Sequence, residues 1–128
     1  MQKLFKNLRA DSVPDLFVLQ NDKVKTAHYN YNVQEQQDEE GETYYTHDTL
    51  VVPWPLTRRN VFKTLLEALY PLDFEIKLIN DYNTEMSIVP EQRDQSKIQA
   101  YQQFLSDRET LRQQVINDCQ TANIPEQL

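Results

Sequence analysis

The chain has 128 residues and a formal net charge of −7, which is long enough to bury one core and too short for two. That charge argues against a general nucleic-acid binder, which needs Lys and Arg to displace counterions from phosphate, and it disfavours adsorption to anionic lipid. A single glycine, Gly41, removes every glycine-rich phosphate-binding fingerprint, and a single cysteine, Cys119, removes an internal disulfide.

The mean hydropathy of −0.73 predicts a strongly polar surface, while 10% aromatic residues are too many for a disordered chain. The N-terminus is basic but has no continuous apolar run, so it does not read as a signal peptide. No stretch approaches the ~20 apolar residues that span a bilayer. These features predict one domain over residues 1–128, made in the cytoplasm.

In chain order, Leu4, Phe5 and Leu8 share one face of a possible short helix over residues 2–9, ended by Ser12 through Pro14. Leu16-Phe17-Val18-Leu19 is a compact apolar run, and Gln20-Asn21-Asp22-Lys23 after it suits a hairpin turn. From Val24 to Val33, Ala27, Tyr29, Tyr31 and Val33 recur at period two, the signature of a strand face. Residues 35–42 read as an acidic loop around Gly41. A further strand spans about Thr43 to Val52. The expectation is a sheet of about three antiparallel strands over residues 15–52, in meander order.

Pro53-Trp54-Pro55 changes the period. Neither proline can donate to a ladder, so the sheet ends there. Thr57 is placed as an N-cap for a helix over 58–69, with Val61, Phe62, Leu65, Leu66 and Leu69 as its stripe. A second helix runs over 72–86. Leu72, Ile76 and Ile79 form one face and Phe74, Leu78 and Tyr82 lie beside them, so this wide apolar arc predicts burial between two layers. A third helix, 95–119, carries Ile98, Tyr101, Phe104, Leu105, Leu111, Val115, Ile116 and Cys119 on one side. The tail Thr121–Leu128 is expected to fray. The fold class is α+β, a small sheet followed by a three-helix layer.

No catalytic or cofactor motif emerges. His28 and His47 make only a start on a metal site that wants three or four ligands, and Cys119 continues an apolar stripe, so no metal and no reactive thiol are assigned. Residues 35–49 hold Glu35, Asp38, Glu39, Glu40, Glu42 and Asp48 without a Lys or Arg, but not at calcium-loop spacing. No cofactor is assigned, and the chain reads as a non-enzyme. The aromatic group is more informative. Tyr29, Tyr31, Tyr44 and Tyr45 on neighbouring strands, with Trp54, Arg58 and Arg59 at the sheet end, have the composition of an interface hot spot. Rings that finish the core are the alternative.

The stretches Tyr29-Asn30-Tyr31, Pro55-Leu56-Thr57-Arg58-Arg59-Asn60-Val61-Phe62 and Tyr70 through Tyr82, with Tyr101-x-x-Phe104-Leu105, resemble small proteins from phages and prophages of gut Bacteroides-type bacteria. The resemblance covers roughly residues 29–119, its motifs are packing patterns, and no functional residue carries over. It implies a neighbourhood of virion and tail genes, and hence a minor virion or tail component or an assembly factor, found in the bacterial host cytoplasm or in the virion. Its partners would be other proteins or further copies of itself, not nucleic acid or membrane. The alternative function is an acidic inhibitor or regulator that uses Glu35 to Asp48 to occupy a basic surface of a host protein.

Overall fold

The computed structural model describes residues 2–21 and 24–126. Four strands come first: β1 (Leu4–Ala10), β2 (Phe17–Asn21), β3 (Lys25–Gln37) and β4 (Thr43–Pro53). Helices α1 (Arg58–Leu69), α2 (Leu72–Met86) and α3 (Gln95–Thr121) follow, with a 3-10 turn at Pro90–Gln92. The architecture is α+β, and Pro53-Trp54-Pro55 is the boundary between the two layers. Among the described residues, no helix is long and apolar enough to cross a membrane.

The sheet is antiparallel throughout, in the order β1-β4-β3-β2. The meander β2-β3-β4 matches the alternation pattern; Asp22 and Lys23 of its first turn lie outside the described residues. The fourth strand is a correction, because residues 4–10 pair with β4 and are not a helix. The cause is a bulge. Phe5 lies opposite Thr49 and Leu8 opposite His47, so two apolar side chains three residues apart share a strand face. That spacing imitates a helical turn.

A matching bulge interrupts β3, where Tyr31 lies opposite Asp48 but Gln34 lies opposite Thr46. Both bulges contain an asparagine in the left-handed region, Asn7 at φ 57° and Asn32 at φ 55°, a conformation that Asn tolerates better than most residues. Asp48, buried on the strand between them, serves both: Oδ1 accepts from the Asn7 N–H at 3.0 Å and Oδ2 from Asn32 Nδ2 at 3.3 Å. The bulge also takes Val33 out of phase with Tyr31, so Val33 is exposed and not part of the face that Ala27, Tyr29 and Tyr31 share. The β3–β4 ladder continues to Gln37 opposite Thr43. The acidic loop is therefore shorter than its predicted 35–42. It spans 38–42, closed by Asp38 Oδ1 accepting from the N–H groups of Glu40 and Glu42, with Gly41 at φ 80°.

One sheet face carries the core. Ala27, Tyr29, Tyr31, Leu50 and Val52 pack against Val61 and Leu65 of α1 and Val115 and Cys119 of α3. Tyr29 donates to Asp118 Oδ2 and accepts from Gln114 Nε2, which ties the sheet centre to α3. On the opposite face the connection 11–16 carries the chain from one sheet edge to the other. Asn30 Nδ2 donates to Asp15 O there at 2.8 Å, and its Oδ1 accepts from Thr49 Oγ1 at 2.6 Å. Thus both faces of the sheet centre are covered.

The tail is docked, which corrects the expectation of fraying for residues 121–126. Ile124 packs on the core and its N–H bonds Cys119 O at 2.8 Å. Pro125 O and Glu126 O then accept from the N–H groups of Arg58 and Arg59, while Thr57 Oγ1 accepts from Asn60 N. The first turn of α1 therefore has its free donors satisfied by a side-chain cap and by the tail.

Candidate functional site

The seven residues singled out from the sequence do not converge. Tyr29 and Tyr31 are buried under the helices, with stacked rings whose centroids lie 5.0 Å apart. Burial holds the Tyr31 phenol up at about 12, with the Asp48 carboxylate adding to it, and raises Tyr29 further. Neither is available to a partner, because period two placed them on the face that the helices cover. Tyr44 and Tyr45 are half-buried on opposite faces near the start of β4, with the Arg9 guanidinium 3.8 Å above the Tyr44 ring. Trp54 is exposed beyond the other end of the strand, ~33 Å away at about 3.3 Å per residue, and Lys25 Nζ stands 3.8 Å over its ring. Arg58 and Arg59 begin α1. Of the seven, Arg59 alone lines the larger concavity described next.

That concavity lies in the helical layer. α3 spans 27 residues, or ~40 Å at 1.5 Å per residue. The end of α3 carrying Val115 and Cys119 packs on the sheet and α1, while its opposite half carries α2. The turn between α2 and α3 is fixed by three hydrogen bonds from two side chains. Glu85, buried, accepts from the Asp94 N–H at 2.6 Å, and Arg93 donates to Ile88 O and Met86 O at 2.9 and 3.2 Å. Aromatic pairs hold the rest: Tyr82 lies on Tyr101 at 4.7 Å, and Tyr70 meets Phe104 edge-on at 5.1 Å. α2 makes no comparable packing with α1 or the sheet.

The two helices thus stand apart over α3, leaving a groove of about 700 Å³. Its apolar lining comes from Phe62 and Leu66 of α1, Leu72 and Ile79 of α2, and Tyr101, Phe104 and Leu105 of α3. This corrects the expectation that α2 lies between two layers. Leu78 is buried and Tyr82 lies on Tyr101 of α3, but Phe74, stacked on Tyr70, stays 45% exposed, and the second stripe is uncovered, with Leu72 67%, Ile76 45% and Ile79 40% exposed, beside Leu105 at 43%. Contiguous apolar exposure of this kind marks interaction surfaces.

Charge at the groove is opposite to that of the whole chain. Arg59, Lys63 and Arg108 line it with Glu67 and Glu75. The ion pairs among the described residues are Lys77–Asp81 and Arg112–Glu109, so none of the three groove cations is paired there. Arg108 lies 5.6 Å over the Phe62 ring. A separate cavity of about 260 Å³ is lined by Arg58, Arg59, Arg112 and Glu126, and Arg58 Nε is buried beside it without a hydrogen-bond partner among the described residues.

The remaining candidates have structural surroundings. His28 and His47 lie on one face of the sheet but pair with Val51 and Leu8, not with each other. His47 Nδ1 is 3.2 Å from Thr49 Oγ1. Among the described residues, no three His, Cys, Asp or Glu side chains gather as a metal site would require. Cys119 is fully buried, and desolvation pushes its thiol up to about 11, which suppresses the nucleophilic thiolate. No protein-family model matches the chain, and no curated protein or solved structure matches it.

Proposed function

We propose that the chain is a non-enzymatic, phage-type protein that works by binding protein, as a minor virion or tail component or an assembly factor, in the bacterial host cytoplasm or in the virion. The observation that carries the binding role is the uncovered apolar groove between α1 and α2, floored by α3 and edged by Arg59, Lys63 and Arg108, which form no ion pair among the described residues. An amphipathic helix laid into such a groove buries its apolar face against the lining. The phage assignment rests on the resemblance of residues 29–119. The contact surface proposed here replaces the tyrosine sheet, since Tyr29 and Tyr31 are core residues.

The acidic-mimic alternative is less well supported. Asp48 is buried between two bulges and Asp38 closes its own turn, so Glu35, Glu39, Glu40 and Glu42 are what remain exposed of the six carboxylates. The binding reading is tested by affinity purification of tagged chain from phage-producing cells, with Leu105→Asp alongside the parent. The expected result is an identified virion, tail or assembly protein retained by the parent and lost with the variant. Equal retention by both refutes the groove as the contact surface.

A further inference from the structure

We infer that the occupant of the groove is α2 of a second copy of this chain, so that two copies close each other's grooves about a twofold axis. This rests on the groove being the binding surface. It adds the identity of the partner.

The first observation is the shape of the apolar surface. α2 is apolar on two sides, and one of them is already used on α3 through buried Leu78 and through Tyr82 on Tyr101. The other, Leu72-Ile76-Ile79, follows helical spacing and is left 40–67% exposed by the described residues. Because Leu72 and Ile79 also line the groove, the uncovered stripe is both the wall of one copy's groove and the ridge offered to the next. A surface that is ridge and wall at once is what an isologous contact needs, since the same residues meet in both directions. Each α2 would then be packed from two sides, as its wide apolar arc demands.

The second observation is charge. The groove holds three cations, Arg59, Lys63 and Arg108, none of them in an ion pair among the described residues, against two carboxylates, Glu67 and Glu75, in a chain of net charge −7. The segment that would complement it needs apolar residues flanked by carboxylates. α2 is that segment, carrying Asp73 in its first turn beside the Leu72 end of the stripe, together with Glu75, which also lines its own copy's groove. The acidic α2 of each copy therefore meets the basic lining of the other, and the arrangement satisfies itself without a third component. The rigid α2–α3 turn, held by Glu85 and Arg93, keeps α2 fixed in place before association.

Sedimentation velocity on the full chain at low and high protein concentration tests this, with Ile76→Glu, Lys63→Glu and Arg108→Glu alongside. The expected result is a dimer of twice the 15.2 kDa chain mass. Ile76→Glu should weaken it by at least ~100-fold, as loss of a central anchor does, and each charge reversal by roughly 10-fold. Ile76, Lys63 and Arg108 lie outside the core cluster, so the far-ultraviolet circular dichroism of each variant should match the parent, and the charge variants decide the matter if Ile76→Glu does not fold. A parent that stays monomeric at high concentration overturns the proposal. So does a dimer indifferent to all three variants. In either case the groove as a binding surface is judged separately, by whether Leu105→Asp still abolishes retention of an identified protein partner.

Discussion

Replacing Asp48 by Ala should be among the most damaging single changes to the sheet, because one carboxylate holds the bulges of both neighbouring strands. It accepts from the Asn7 N–H at 3.0 Å and from Asn32 Nδ2 at 3.3 Å. A hydrogen bond to a charged partner contributes ~1.5–3 kcal/mol. Asn7 and Asn32 are themselves exposed, so water partly replaces the lost acceptor and each bond falls to the lower end of that range. Removing the buried carboxylate also relieves its own desolvation. The net loss should be about 2–3 kcal/mol, which at a slope of ~1.5 kcal/mol per molar lowers the urea midpoint by roughly 1.3–2 M. Asp48→Asn keeps an oxygen for the Asn7 N–H and should lose about half as much. The assay is equilibrium urea unfolding followed by Trp54 fluorescence and far-ultraviolet circular dichroism, whose transitions should coincide. A midpoint for Asp48→Ala within ~0.3 M of the parent, equivalent to under about 0.5 kcal/mol, refutes the idea that the carboxylate pins the two bulges.

Three further outcomes can be checked on the same purified protein. Ile124→Ala should cost ~1–2 kcal/mol, less than a full core truncation because the site is half-buried, and should speed hydrogen exchange at the Arg58 and Arg59 amides, which bond Pro125 O and Glu126 O. Unchanged exchange there would mean that the tail does not cap α1. Tyr29→Phe leaves Asp118 and Gln114 without their shared hydroxyl partner and should cost about 1–2 kcal/mol; a neutral effect refutes the tie between sheet and α3. Finally, the folded state holds the Cys119 thiol at about 11 and the Tyr31 phenol at about 12, above ordinary values of 9.0 and 10.0. Unfolding then releases protons, so stability is complete below pH ~9 and falls as pH rises toward 11–12, with a slope of at most ~1.4 kcal/mol per pH unit per group. Urea midpoints that stay flat from pH 8.5 to 10.5 contradict this. Cys119→Ala should reduce the slope.

The helical half was legible because its signals are local. Thr57 caps α1 where the N-cap reading put it, and the observed Arg58–Leu69 coincides with the stripe from Val61 to Leu69. β3 and β4 were equally clear wherever one face is buried. The misreadings share a cause, namely contacts remote in sequence. β1 was mistaken for a helix because its bulge places Phe5 and Leu8 on one face at a spacing of three, and nothing near Asn7 announces that Asp48 will hold the bulge open. Gln34 through Gln37 gave no strand signal, since that stretch of β3 presents polar residues to both faces while the ladder with β4 forms regardless. Ile124 was one apolar residue in a polar tail, too little to show that the chain returns to cap α1. Period two correctly paired Tyr29 with Tyr31. Which face the helices would take was not readable from it, and that choice moved the two tyrosines from candidate surface to core.

The groove was visible in the sequence in a different sense, as an excess. A helix packed on one neighbour needs one apolar stripe, yet residues 72–86 carry two. The natural inference was a helix between two layers, but the chain supplies α3 and nothing comparable for the other side. Keeping Leu72, Ile76 and Ile79 in water forgoes roughly 1.5–3 kcal/mol per side chain relative to full burial. Substituting them with polar residues would remove that exposure without touching the α2–α3 interface, where Leu78 and Tyr82 do the packing. The apolar excess therefore has no use within the folded chain. It acquires one only when something is laid against α2, and the excess of Arg59, Lys63 and Arg108 over Glu67 and Glu75 beside it favours a surface bearing carboxylates.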